Sequence, residues 1–320
     1  FGLIAFIGLC IFLKKDKIKS LVEINYIAFL FLSISSASFQ VFLDRGELLD
    51  WFNSNFLISM FTISMFSLAF FIINSIYSKR PLFPNELFKD RFFIGGLIFA
   101  FLFGVILIPP FILLPIYLSQ IQSFPINLVG FILSISGFGG MIGTIFTSRI
   151  IYLIGNIKTM LIGLFIFFLS NYHVTNWHPS VTTQEIIFNS FYRGISISIY
   201  YVALANITYK TLPNQFRTDG ASLFQFLRTL GTGISVAVFI FLFNRYQSIH
   251  YENFRNMTDY SNLGISNYMK LENFSEDTIV FFSNMIEFNS MMQSFITDFF
   301  LLSIVPLFFV PFALLFYKKN

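Results

Sequence analysis

Residues 92–118 read FFIGGLIFAFLFGVILIPPFILLPIYL, twenty-seven consecutive positions without an Asp, Glu, Lys or Arg. A helix crosses about 30 Å of hydrocarbon in about 20 apolar residues, so this stretch is long enough to span a bilayer. A spanning segment must satisfy its own backbone inside lipid, which leaves only helices and closed barrels. A barrel would show short alternating strands rather than one unbroken apolar run. The stretch is therefore a transmembrane helix, and the fold class it implies is all-α and polytopic.

Reading outward by apolar length and charged punctuation gives further spans at 21–43 and 55–77 on one side. On the other side they fall at 128–154, 157–173, 185–209, 222–243 and 294–317. Together they make eight full spans. The composition agrees, with 11% charged residues, 56% hydrophobic ones and a mean hydropathy of +0.74. A soluble domain carries about 25% charged residues to dress its surface. The 48 Phe mark no site, because Phe replaces Leu readily on lipid-facing surfaces. Phe1–Leu13 is apolar but too short to span, and no basic segment precedes it to make a signal peptide. It is expected to be the end of a helix that starts before Phe1, which makes the chain a fragment. The single cysteine, Cys10, can form no internal disulfide.

Lys and Arg fall unevenly between the connections. Fourteen lie on one side: Lys14, Lys15, Lys17, Lys19, Lys79, Arg80, Lys89, Arg91, Arg149, Lys158, Lys210, Arg217, Lys318 and Lys319. Four lie on the other: Arg45, Arg245, Arg255 and Lys270. The basic side is cytoplasmic by the positive-inside rule, and eight spans then return the C-terminus to the cytoplasm of a multi-pass inner (plasma) membrane protein. The net charge of +4 is thus topological, and no soluble basic domain is present to bind nucleic acid. Residues 43–52 form a tight exterior hairpin with Gly46 for the turn and Trp51 at the interface. Residues 244–293 read as a long polar exterior loop, chiefly a solvated excursion, on which a periplasmic adaptor protein could dock.

Two cations remain inside spans, Arg193 and Arg228. Insertion of a charge costs about 2.5–3.5 kcal/mol on translocon scales, so each needs a reason. Asn189, Arg193, Ser196 and Tyr200 share one helix face, and Gln225, Arg228, Thr232 and Ser235 share another. Two neighbouring polar stripes suggest one aqueous cavity with gating arginines; snorkelling of Arg228 to the headgroups is the bland alternative. Asp298, near the expected start of the last span, reads as an interface anchor. Gly137, Gly139, Gly140 and Gly143 suit close helix packing, as do Gly231 and Gly233, while Pro109, Pro110 and Pro115 invite a kink. Enzyme chemistry finds little support. His173, His178 and His250 have no carboxylate or Cys to complete a metal site, and no phosphate-cradling Gly loop is present.

These residues carry a family likeness. Leu43-Asp44-Arg45-Gly46 followed by Leu49-Asp50-Trp51-Phe52 resembles the exterior hairpin of EmrB-like multidrug efflux proteins, the fourteen-span drug:proton antiporters of the major facilitator superfamily. Pro81 followed by Leu87-Phe88-Lys89-Asp90-Arg91-Phe92-Phe93 is similar too, as is Arg193-Gly194 running into Leu204-Ala205-Asn206-Ile207-Thr208. The strongest match is Ser222-Leu223-Phe224-Gln225-Phe226-Leu227-Arg228-Thr229-Leu230-Gly231. The resemblance implies that 1–13 ends a truncated transmembrane helix. It makes 14–91 two linker helices with cytoplasmic loops, and 92–320 a C-terminal six-helix half of two inverted three-helix repeats. The first, second, fourth and fifth helices of such a half line the central cavity. A proline often found in the family's fourth helix is absent near Val202-Ala203. The family's proton-coupling acid and antiporter signature belong to the N-terminal half.

The expected function is that of a secondary transporter exporting hydrophobic, cationic or amphipathic compounds, driven by the proton gradient with no cofactor. Arg193, Arg228, Gln225, Asn189, Tyr200 and Thr232 would line the cavity or gate it. Gly139, Gly143, Pro110, Pro115 and Gly231 would serve packing and hinging. The alternatives are a truncated, non-transporting membrane module, or a carrier of siderophores or lipids on the same fold.

Overall fold

The computed structural model describes residues 25–78, 81–257 and 276–316, with the isolated position 8. The partial helix expected at 1–13, residues 14–24, Lys79, Arg80, the middle of the 244–293 connection and the terminal Lys318 and Lys319 lie outside the described residues. All regular structure among the described residues is helical. The helices are α1 (Tyr26–Arg45), α2 (Asn55–Tyr77), α3 (Arg91–Leu107), α4 (Pro109–Ile116), α5 (Ile126–Ile154), α6 (Asn156–Val174), α7 (Thr183–Lys210), α8 (Arg217–Met257) and α9 (Glu276–Phe309). The helix 92–118 expected from sequence is present but broken at Ile108. Pro109 and Pro110 then start α4 and a π-helical turn, Tyr117–Ile121, ends it. Proline at the first helical positions loses no helical hydrogen bond, so the chain restarts there instead of kinking further.

Local sequence sets the other boundaries. Asn25 caps α1 through its side-chain oxygen on the Ala28 amide (3.0 Å). Asp90 caps α3 at Phe92 (2.9 Å) and Thr182 caps α7 at Glu185 (3.4 Å). Gly155 alone separates α5 from α6, at a φ of 85° that suits glycine. In the 43–52 hairpin the Trp51 ring covers Gly46 so closely that a Cβ there would lie 2.6 Å from it. The same ring meets Phe241 of α8 edge-on at 5.8 Å, so Trp51 fastens the hairpin to the bundle.

Seven helical segments among the described residues are long and apolar enough to cross a membrane. The exception among the eight expected spans is α7. It is long enough at 28 residues, about 42 Å at 1.5 Å per residue, but it carries too many polar side chains. The bundle resolves this by burying them. Asn189, Ser190, Arg193, Ser196, Tyr200 and Thr208 are all at most 1% exposed, so α7 turns its polar side to other helices, not to lipid.

The polar stretch 244–293 departs from the expected solvated loop. There α8 runs unbroken to Met257 and α9 already starts at Glu276. At 1.5 Å per residue the 41 residues of α8 reach about 60 Å, roughly twice the hydrocarbon thickness. The two helices therefore project well beyond a bilayer. Polar composition cannot separate a loop from a helix standing in water.

Packing couples the two expected triplets crosswise. The first helix of one, α3, packs along α8, the second of the other; equally, α7 packs along α5. Helix α7 also lies against α6 and α3, while α9 fills in against α8 and α6. The pair α1–α2 packs chiefly on itself and touches the bundle through α8.

Candidate functional site

Helix α7 has a closed side and an open one. On the closed side small residues let backbones meet. A Cβ on Gly194 would overlap the Ser136 carbonyl of α5, and one on Gly139 would overlap the Phe191 carbonyl of α7. One on Gly143 would lie 2.9 Å from the Ile195 carbonyl, and one on Gly163 of α6 2.6 Å from the Tyr200 amide. The matching crossing of α3 and α8 has the same build, with Gly104 against the Arg228 backbone and Gly231 against the Phe101 carbonyl. Small residues at such crossings maximise van der Waals contact where lipid supplies no hydrophobic driving force. A Cβ on Gly140 would lie 3.0 Å from the Ser198 hydroxyl, Gly233 faces Gln40 of α1, and Gly137 faces open space.

The polar stripe predicted on α7 lies on this closed side. Asn189 Nδ2 donates to the Ser170 carbonyl of α6 (2.8 Å) and lies 3.5 Å from His173 Nδ1. Tyr200 donates its hydroxyl to the Phe99 carbonyl of α3 (2.7 Å). Ser196 bonds the Arg193 carbonyl of its own helix (2.6 Å). Arg193 itself is 1% exposed and reaches Ser190 Oγ at 3.4 Å, while its Nε and Nη1 have no partner. Asn189 is thus held against α6 and Tyr200 against α3 and α6, and Arg193 is buried between them on the same face. They do not share an open space with the α8 stripe.

The open side lies where α7 and α8 part. These neighbours in sequence barely touch, and α3 bridges them. Tyr201, one residue past the buried Tyr200, lies with its ring 5.0 Å from Phe103 of α3, and the Arg228 guanidinium of α8 stands 5.8 Å over it. A cation over a tyrosine face is held by the ring quadrupole. Arg228 is half-buried and its Nε has no hydrogen-bond partner. Tyr209, two turns on, packs on Phe224 at 5.5 Å. Below them opens a cavity of about 680 Å³ lined by Ile151, Ala205, Asn206, Tyr209, Arg217 and Ala221, among others. Gln225 is exposed between Ala221 and Arg228 on the same face of α8. Thr232 closes the upper end, its hydroxyl reaching the Gly104 carbonyl at 3.4 Å and the Arg228 carbonyl at 3.1 Å.

Arg228, Gln225 and Thr232 from the predicted set therefore stand along one face, joined by Tyr201 and Tyr209, which the sequence reading did not single out. Their signal was available as tyrosines at i and i+8 on a span with Ala205 and Asn206 between them. Pro110 and Pro115 sit in α4, away from this cleft. Asp298 departs from the expected interface anchor. Because α9 starts at Glu276 and not near 294, Asp298 is six turns into the helix, fully buried, with neither carboxylate oxygen bonded.

No family model matches the chain. It is 26% identical over 242 residues to the fatty acid resistance protein FarB of Neisseria gonorrhoeae, covering 74% of this chain and 47% of that protein. It is 24% identical over 277 residues to the multidrug export protein EmrB of Haemophilus influenzae, covering 84% and 54%. Against the multidrug export protein EmrB of Escherichia coli it is 24% identical over 241 residues, covering 72% and 45%. The chain spans about half the length of these curated relatives. Over most of its own length it is similar to EmrB-like multidrug export proteins, and it is a multi-pass membrane protein.

Proposed function

We propose that this chain is the C-terminal part of an EmrB-like secondary transporter of the major facilitator type, exporting hydrophobic or amphipathic compounds from the cell against an inward flow of protons. The observation that carries the reading is the cleft between α7 and α8, where the half-buried Arg228 guanidinium, its Nε without a partner, lies over the Tyr201 ring. Intramembrane cations are costly and mark transport pathways when they border a cavity. The printed names of the similar proteins, multidrug export and fatty acid resistance, agree with cargo of this chemistry.

In this reading α1 and α2 are the linker pair, and α3 to α9 form a six-span half opposite a second half. The crosswise pairs α3–α8 and α5–α7 are rigid, because their glycines leave no room to slide. The sparse α7–α8 contact is where the half can change shape between inward-open and outward-open states. Arg228 would gate that cleft, with Tyr201 holding it in one state. The Lys and Arg distribution orients the protein with its C-terminus in the cytoplasm of the plasma membrane. The projecting ends of α8 and α9 then stand outside, where a periplasmic adaptor could meet them.

The test is Arg228→Ala in the full-length protein, expressed in pump-deficient cells. Resistance and dye efflux are expected to vanish while the amount in the membrane persists, with partial recovery in Arg228→Lys. Undiminished efflux from Arg228→Ala would remove the arginine from the mechanism.

A further inference from the structure

Asp298 is the one carboxylate among the described residues that is fully buried with both oxygens unbonded. An ionised carboxylate left without partners in an apolar interior costs far more than a neutral carboxylic acid. Buried polar groups without partners are rare enough that each calls for a reason. The stripe that holds it is also unusual. Ser290, Ser294 and Asp298 follow i, i+4, i+8 along α9, and each is 0% exposed. The two serine hydroxyls donate to carbonyls of their own helix, at Ile286 and Ser290 (2.6 and 2.7 Å), which leaves nothing turned to the acid.

A cavity lies on the acid's side of α9. About 380 Å³ in volume, it opens near the projecting ends of α8 and α9, lined by Ile112, Ile116, Gln120, Ile240, Gln247 and Met291, among others. Met291 and Asp298 are seven residues apart, so they lie on one face of α9 about 10 Å apart along its axis. The cavity therefore stands two turns from the acid on the acid's own side of the helix.

Among the described residues no fixed cation holds the charge. On α8 the basic groups are Arg217 and Arg228 toward one end and Arg245, His250 and Arg255 toward the other. On α6 they are Lys158 and His173 at opposite ends, and on α3 there is only Arg91 at its start. Near α4, Tyr117 already donates its hydroxyl to the His178 carbonyl and accepts from Gln122. On α9 itself Glu287 is exposed, three turns away. None of these groups reaches either Asp298 oxygen.

We propose that Asp298 is a proton-binding site in the last helix. Its carboxyl carries a proton in the closed packing described here, and gives it up when water from the cavity beside Met291 reaches the Ser290–Ser294–Asp298 stripe. Its use in coupling rests on the transporter reading above, and would put a proton site in the same half as the Arg228 cleft; proton occupancy by itself does not depend on that reading.

Dicyclohexylcarbodiimide reacts with protonated carboxyls in apolar surroundings. Treating the full-length protein in native membranes and locating the adduct by mass spectrometry is expected to find it on Asp298, and on no residue of that peptide in Asp298→Asn. In vesicles, Asp298→Asn is expected to lose proton-driven dye accumulation at least tenfold while keeping dye exchange without a gradient; Asp298→Glu should retain both. An unlabelled Asp298 in protein whose other carboxyls react overturns the proton site. Full accumulation by Asp298→Asn overturns its role in coupling. Wild-type vesicles that neither accumulate nor exchange any dye would count against the transporter reading, and the labelling result would still decide the proton site. If Asp298→Asn fails to reach the membrane, labelling of the unaltered protein and transport by Asp298→Glu decide instead.

Discussion

The two sides of α7 meet their neighbours in opposite ways. Toward α5 and α6 the helix is closed: Gly139, Gly143 and Gly163 on the neighbours, with its own Gly194, bring backbones into contact, and Asn189 and Tyr200 spend their polar groups on neighbouring carbonyls. Toward α8 it is open, with Tyr201 and Tyr209 offering ring faces to Arg228 and Phe224 across a gap. One helix thus carries a joint whose glycines leave no room for a side chain and a seam of sparse ring contacts. A polar face on a membrane helix says only that the face avoids lipid; whether another helix or water takes its place depends on the backbone distance that its small residues permit.

That contrast can be broken most severely on the closed side. Gly194→Val would drive a side chain into the Ser136 carbonyl and the Gly140 amide, which belong to rigid helix backbone. Overpacking of this kind costs about 3 kcal/mol. The expected result is a sharp fall in folded protein in the membrane, read by fluorescence size-exclusion chromatography and thermal melting in detergent. Gly137→Val, one face away, where a Cβ meets nothing, should melt like the wild type. Equal stability of the two variants would show that the α5–α7 joint is looser than its geometry.

On the open side the expected effect is smaller and falls on function. Tyr201→Leu removes the ring under Arg228 while filling most of its volume, a loss of about 1 kcal/mol of cation–π attraction. Dye efflux should fall severalfold with little change in melting. In Tyr201→Leu/Arg228→Lys the two partial losses should not add, because both weaken the same contact. Tyr201→Phe keeps the ring face and should stay close to wild type. Additive losses in the double variant would separate the two residues.

How much of this was legible in sequence depends on what the bilayer enforces. The spans could be read because hydrocarbon demands long helices: six of the eight stretches, from 21–43 to 185–209, fall within about five residues of the observed helices, while 222–243 and 294–317 cover only part of α8 and α9. The glycines at 139, 143 and 231 could be read because close crossings in lipid need small side chains. The rotation of α7 could not. Arg193 and Arg228 look alike as cations within spans, and only the packing shows that one is fully buried while the other is half-buried at the α7–α8 gap. Tyr201 escaped notice because a tyrosine ring counts as apolar in a spanning pattern. The ends of α8 and α9 escaped for the reverse reason, since a helix in water is as polar as a loop. Asp298 followed from that error: with the last helix placed too short, a deeply buried acid looked like an anchor at its end.

The smallest expected effect lies where joint and seam meet, at Thr232. Its hydroxyl reaches the Gly104 carbonyl only at 3.4 Å and shares that contact with its own Arg228 carbonyl at 3.1 Å. Interhelical hydrogen bonds in membranes are worth about 0.6 kcal/mol on average, because the separated helices find other partners. The α3–α8 crossing rests instead on Gly104 and Gly231, whose approach needs no hydroxyl. Thr232→Val, similar in shape, should therefore shift the melting temperature barely beyond error and leave dye efflux close to wild type. A loss as large as that of Tyr201→Leu would mean that the hydroxyl, set one turn above Arg228, takes part in the movement of the seam. The glycine joint would then not be what holds α8 in place while the cleft opens.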